Sequence, residues 1–347
     1  MYSETDIDNA VAAGALSPEE SRRFRDHVSA SRASPLVDEE SFRLITGFND
    51  IFVSIAIALL LAAVAQIGSV IAGFPAALAG GGVAVAGTSW LLAEYFTARR
   101  RMALPSILLL LAFVGGVAAT GAGAVVAIGL ESTSERIGGI IAAGVALLTG
   151  GAAWLHWRRF HVPITVAAGV VAAVGVAVGL VKAAAPAVDD AIWPILLVAG
   201  LGVFALAMRW DLSDRERRTR RADVAFWLHL AAAPMIAHSI FQMLGVTGYE
   251  VGAGAAAGVL AMYVAFALVA LAVDRRALLV SGLVYVLYAL FSLFRTAGTV
   301  ELTWALTAFV IGSALLTLSA FWQPMRRAVV GRLGGWGERL PPAAIAA

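Results

Sequence analysis

The 347 residues include no cysteine. That excludes disulfides, thiolate metal sites and a thiol nucleophile. Lysine is nearly absent too, Lys182 being the only one. Charged residues make up 14% of the chain, where a soluble domain carries about 25%. The net charge is only +2 and the basic residues are dispersed, which leaves no footprint for nucleic acid. There is no Walker A loop, no zinc-binding HExxH and no GxSxG elbow. A nucleotide-driven pump is therefore excluded unless a partner supplies the motor. No nucleophile, metal set or pair of carboxylates supports an enzyme, and no cofactor is expected. The N-terminus also lacks the short basic region and apolar core of a cleavable signal. The first apolar run begins only at Ile51.

What fills the chain is apolar surface: 60% of residues are hydrophobic and the mean hydropathy is +0.85. It is gathered into runs of about 20 residues, the length that crosses a hydrocarbon core. The pattern predicts an all-α polytopic membrane protein with about ten spans. They are placed at 51–74, 76–97, 104–130, 137–156, 163–184, 191–209, 224–246, 251–272, 277–294 and 301–322. Three regions follow: residues 1–50, a ten-helix bundle at 51–322 and a tail at 323–347. With ten spans, 22 of the 25 basic residues fall on the side of the termini. The exceptions are Arg136, Lys182 and Arg295. This asymmetry places both termini in the cytoplasm.

Residues 1–50 read as a small helical hairpin followed by an interfacial segment. A first short helix carries Ile7 and Val11 and stops at Gly14. Ser17-Pro18-Glu19-Glu20 is a capping box, with proline at the first helical position. It opens a second helix through Phe24 and Val28, and Asp38 caps a third whose Phe42, Ile45 and Phe48 form an apolar stripe. This segment is either a docking module for a cytoplasmic partner or a tail lying on the bundle. Within the bundle, Ala/Gly-rich stretches at 76–87, 175–179 and 254–258 predict close packing of the second, third, fifth and eighth spans.

The candidate site centres on the seventh span. It carries His229, Pro234, His238 and Gln242, groups that are expensive in lipid. Asp223 is placed to cap it. His229 and His238 are nine residues apart, so on an ideal helix they point to opposite faces and are not a metal pair. His238 and Gln242 share a face. They form either a wet polar wall that binds solute or relays a proton, or dry interhelical glue. In the ninth span Ser281, Tyr285, Tyr288, Ser292 and Arg295 recur at steps of four and three, making one polar stripe. It either lines a path or bonds to a neighbouring helix. Thr303, Thr307, Ser313 and Thr317 of the tenth span fit either use. Glu94 is the one acid inside an apolar run; pairing with Arg99–Arg101 or snorkelling accounts for it, with a proton carrier as the alternative. Gln66 is a weaker polar candidate. Asp189 and Asp190 are close enough to neutralise Lys182. The stretch Arg209–Asp223 mixes six arginines with four acids and reads as a topology anchor.

AAGALSPEE at 12–20, FRLITGFNDIFV at 42–53 and DVAFWLHLAAAP at 223–234 resemble segments of uncharacterised bacterial inner-membrane proteins that carry a domain of unknown function. The resemblance implies a bacterial cytoplasmic membrane and implies no activity. The expected function is a small-solute transporter or permease with a polar path near the seventh and ninth spans. The alternative is a membrane scaffold or sensor whose N-terminal hairpin docks a partner.

Overall fold

A computed structural model of the chain describes residues 7, 10–24, 48–130, 134–186, 192–215, 217, 219–245, 253–296 and 302–340. Residues 1–42 and 43–343 fall into two compact units. In the first unit, residues 10–12 and 18–24 are helical. Gly14 ends the first piece at φ +72°, a conformation that glycine adopts without strain. The capping box is closed in both directions. The Glu20 amide donates to Ser17 Oγ at 3.2 Å, while the Ser17 amide and hydroxyl donate to Glu20 Oε2 at 2.9 and 2.6 Å. The Ser17 hydroxyl, then its amide, hold the Glu20 carboxyl below its usual range. The interfacial helix expected from Asp38 lies outside the described residues.

The second unit is a helical bundle: α1 (Phe48–Ala72), α2 (Ala77–Ala93), α3 (Ala103–Ala127), α4 (Glu135–Phe160), α5 (Ile164–Ala184), α6 (Ile192–Ser213), α7 (Arg220–Met243), α8 (Ala253–Val273), α9 (Ala277–Thr296), α10 (Thr303–Ala320) and α11 (Trp322–Arg332). No strand occurs among the described residues. In lipid the backbone must satisfy its own hydrogen bonds, and unbroken helices achieve that. Nine of these helices, α1 and α3 to α10, are long and apolar enough to cross a membrane. The chain is therefore an all-helical, multi-pass membrane protein. The segment at 77–93 has 17 α-helical residues and continues as a π-helical turn over Glu94–Arg99.

Small residues hold the first five helices together. A Cβ added to Gly80 would stand 2.5 Å from Gly68 O, joining α2 to α1. One on Gly82 would stand 2.7 Å from Gly116 O, joining α2 to α3. One on Gly139 would stand 2.7 Å from Gly179 O, joining α4 to α5. Here no side chain fits between the backbones, the arrangement expected where lipid does not drive helices together. In the eighth span the glycines are not the contact, although Ala256 of the same stretch is buried in the core. Gly254 meets nothing within 4 Å and Gly258 meets only Leu244 at 3.9 Å. That helix packs through Ala256, Val259, Ala270 and Leu271.

α7 is the hub. It packs against α5, α6 and α9. In its most apolar 18-residue window 56% of residues are buried, against 17–38% in the other eight spans. It runs through Pro234 without ending, and Pro234 itself is exposed. The missing N–H is thus turned to the outside of the bundle, where it least disturbs packing.

Candidate functional site

The helices extend further toward the arginine-rich end than the apolar runs alone indicate. α6 continues to Ser213, so Asp211 lies on the helix rather than in a loop. α7 begins at Arg220, which puts Asp223 inside its first turn. The cap is Thr219, whose Oγ accepts from the Arg221 amide at 3.3 Å. Thr219 is held in turn by Asp214, which accepts from its amide and hydroxyl at 2.8 and 2.6 Å. Asp223 is not the cap.

These extra turns bring together a buried ionic cluster. His229 Nε2 lies 2.9 Å from Asp211 Oδ2. Arg275, in the turn between α8 and α9, donates from Nε to the same oxygen at 3.2 Å and from a terminal nitrogen to Asp211 Oδ1. That terminal nitrogen also donates to the Ala222 carbonyl at 3.1 Å. Asp211 is 1% exposed, His229 0% and Arg275 3%. A buried carboxylate is tolerable only with such partners. With Nε2 facing the carboxylate, the neutral tautomer carries its hydrogen there and leaves Nδ1 as a lone pair. Nδ1 of His229 is buried and has no hydrogen-bond partner among the described residues. Phe204 stacks edge-on against the ring at 5.2 Å. Asp223 lies within electrostatic reach of Arg275.

A second ionic group sits beside it. Asp274, in the left-handed region at φ +59°, accepts from Arg217 at 3.0 Å and from Trp322 Nε1 at 2.8 Å. Arg326 of α11 approaches it at 3.5 Å. Burial pushes the Arg326 guanidinium below its usual range, and Asp274 pulls it back up. Arg276 lies 4.9 Å above the Trp322 ring. Together these contacts tie one end of α6, α7, α9 and α11 into a single polar layer.

His238 lies on the other face of α7, as the nine-residue spacing predicts. Its Nδ1 shares a hydrogen bond with the Tyr285 hydroxyl of α9. The Gln242 amide nitrogen stands 3.4 Å from its Nε2. Trp193 of α6 meets the ring edge-on at 5.1 Å, and Phe241 stacks on Tyr285 at 4.2 Å. If Gln242 donates into Nε2, then Nδ1–H donates to Tyr285, whose own hydrogen is left to donate onward. Three of the predicted polar groups thus meet at one point.

The remainder of the predicted path separates. His229 belongs to the Asp211 cluster and not to the His238 group. Tyr288 and Arg295 are exposed. The buried face of α9 runs through Leu278, Leu279, Val286, Ala289 and Leu290, so the polar stripe borders that face, and of its described side chains Tyr285 is the one that reaches inward. Ser281 and Ser292 lie on α9, with side chains outside the described set. Thr307 and Ser313 bond back to the carbonyls of Thr303 and Phe309 on their own helix. Gln66 is exposed, and Asp189 and Asp190 lie outside the described residues.

Glu94 is not a buried acid. It opens the π turn and forms a two-point ion pair with Arg159 of α4, at 2.9 and 2.6 Å, with over a third of its side chain exposed. Its partner is on a neighbouring span, not in the arginine run that follows it. A histidine that sequence reasoning passed over lies nearby. His156 of α4 is 0% exposed, among Trp90, Phe113 and Phe160, with Thr165 Oγ at 3.4 Å from Nδ1.

Asp211 and Arg275 were legible only as charges that set topology. The signal that could have found them is an acid, a histidine and an arginine at the same end of three spans. No group of three or more potential metal ligands occurs among the described residues. No family model matches the chain, and no curated protein or solved structure matches it.

Proposed function

We propose that the chain moves a small solute across a bilayer in a proton-coupled cycle, with α7 as the working helix. The observation that carries this reading is His229: a buried imidazole held by Asp211 through one nitrogen, with the other nitrogen unpartnered among the described residues. Buried polar atoms are nearly always paired, and intramembrane histidines serve as proton relays. A proton taken up at Nδ1 makes His229 cationic. Asp211 then divides between His229 and Arg275, and the contact between α7 and the α8–α9 turn loosens. On the other face, His238, Gln242 and Tyr285 offer donors and acceptors to a polar solute. The segment at 77–93, extended by its π turn, is read as a tenth span. Its 23 residues cover about 35 Å, enough for a hydrocarbon core of about 30 Å. Ten spans and the arginine asymmetry put both termini in the cytoplasm. The resemblance of residues 12–20, 42–53 and 223–234 points to a bacterial inner membrane.

The test is reconstitution into vesicles loaded with a pH-sensitive dye. A panel of small polar solutes is added under an imposed proton gradient. The proposal expects at least one solute to accelerate proton entry, an effect lost in His229→Gln and kept in Glu94→Gln. Proton entry that is independent of every solute and unchanged in His229→Gln would contradict it.

One observation favours a second reading, a scaffold or sensor. The N-terminal unit carries a closed capping box and an exposed Phe24, 42% accessible, features suited to docking a cytoplasmic protein. Deleting residues 1–42 distinguishes the two. Loss of function with an intact bundle favours docking, and retained solute movement favours transport.

A further inference from the structure

A large cavity lies away from both histidine clusters. It is a cleft of about 1060 Å³ between α3, α4, α5 and α7, running from Ile164 and Trp227 to Ser134 and Glu135. It lies at the top of the range for small-molecule sites, and one side is open to the surroundings. Its wall on α4 extends from Glu135 to Thr149, about 21 Å at helical rise, more than half of a hydrocarbon core of about 30 Å. The lining is almost wholly aliphatic. Thr149, its polar exception at depth, spends its hydroxyl on the Val145 carbonyl at 2.8 Å. Nothing within the cleft recognises a polar solute, and its surroundings are hydrocarbon.

One end is different. A second cavity of about 300 Å³ shares Glu135, Gly138, Ala142 and Gly175 with the cleft and adds Lys182. Gly139 and Gly179, whose backbones touch, also line it, so the two helices are fixed relative to each other there. Glu135 and Lys182 thus both line the small cavity that adjoins one end of a long apolar slot.

From this we infer that the cleft binds one phospholipid with a zwitterionic ethanolamine headgroup, its acyl chain in the slot, its phosphate at Lys182 and its ammonium at Glu135. Lys182 has three donors and can serve a phosphate while keeping other contacts. The pairing of charges selects this headgroup. Phosphatidylglycerol has no ammonium to meet Glu135. The inference is independent of whether the chain transports anything.

The experiment is native mass spectrometry of the full chain, purified in detergent and titrated with phosphatidylethanolamine or phosphatidylglycerol of the same acyl composition. The expected result is one phosphatidylethanolamine retained per chain, at least tenfold tighter than phosphatidylglycerol. Ala142 is exposed and lines both cavities, so Ala142→Trp fills the slot without entering the core. It should weaken retention at least tenfold. Glu135→Gln should erase the preference between the two lipids, and Lys182→Gln should weaken both. Retention unchanged in Ala142→Trp would overturn the inference, as would equal retention of the two lipids by the unsubstituted chain. A dimer that holds no lipid and is lost in Ala142→Trp would also overturn it, by assigning the cleft to a second copy.

Discussion

The two halves of the bundle lean on different contacts, although the Glu94–Arg159 pair also joins the end of α2 to α4 in the first. From α1 to α5, helices meet backbone to backbone at Gly68/Gly80, Gly82/Gly116 and Gly139/Gly179. From α6 to α11 the joints include charges and rings: Asp211 with His229 and Arg275, Asp274 with Arg217, Trp322 and Arg326, His238 with Tyr285. Among the described glycines of this half, Gly200 against α7 and Gly282 against Tyr263 are the close contacts between helices, and both meet side chains as well as or instead of backbone. A glycine contact has one geometry and no charge to rearrange. An ionic joint has several arrangements of similar energy, depending on where a proton sits. The first half is therefore held largely by fixed backbone contacts, and the buried Asp211, His229 and Arg275 lie in the second. α7 touches both halves through α5, α6 and α9.

The comparison can be broken most sharply at Asp211. Asp211→Ala leaves Arg275 buried without its carboxylate, which should cost about 3–5 kcal/mol, read as the loss of thermal stability in detergent. The paired change Asp211→Leu with Arg275→Met should restore most of that stability, because an apolar replacement of a buried ion pair is often neutral or better. Next in size are the backbone contacts of the first half. Gly139→Ala drives a methyl into the Ala183 amide at 2.6 Å and should cost about 1–3 kcal/mol by overpacking. Gly87→Ala, where nothing lies within 4 Å, should be neutral or stabilising by up to about 1 kcal/mol. Equal effects at the two glycines would show that the backbone contacts do not hold the first half together. Tyr285→Phe breaks one interhelical hydrogen bond and should cost about 0.6 kcal/mol in thermal stability. Glu94→Gln should have the smallest effect, roughly 0–1 kcal/mol and less in high salt, since its pair with Arg159 is half-exposed.

The helices were legible because hydrocarbon demands long apolar runs, and each expected run corresponds to a helix. Their ends were less so. Apolarity fades at Arg209 and at Arg221, yet α6 and α7 continue as helices past those points. Asp211, on the extra turn of α6, pairs with His229 and Arg275 instead of with water. That is why Asp211 read as an anchor and proved to be a buried partner. Helical phase separated His229 from His238 and brought Gln242 to His238. It could not name Tyr285 over Tyr288 as the contact, because both lie in one stripe and only the neighbouring α7 selects between them. Glu94 shows the same limit. Its local sequence offers three arginines, and its partner comes from two helices away.

The central claim is that α7 faces water at His238 and Gln242 and responds to protonation near His229. The absence of native cysteine allows a direct measurement. Single cysteines at Gln242, and at the buried Ala237 as a control, are labelled in intact membranes with a small water-soluble thiol reagent, at mildly acidic and mildly alkaline pH. The account predicts labelling at 242, none at 237, and a pH dependence at 242 steeper than the thiol's own ionisation produces, the excess being lost when His229 is also changed to Gln. A folded protein that resists labelling at 242 at every pH would show that the His238 cluster is dry glue between helices, and would contradict the account.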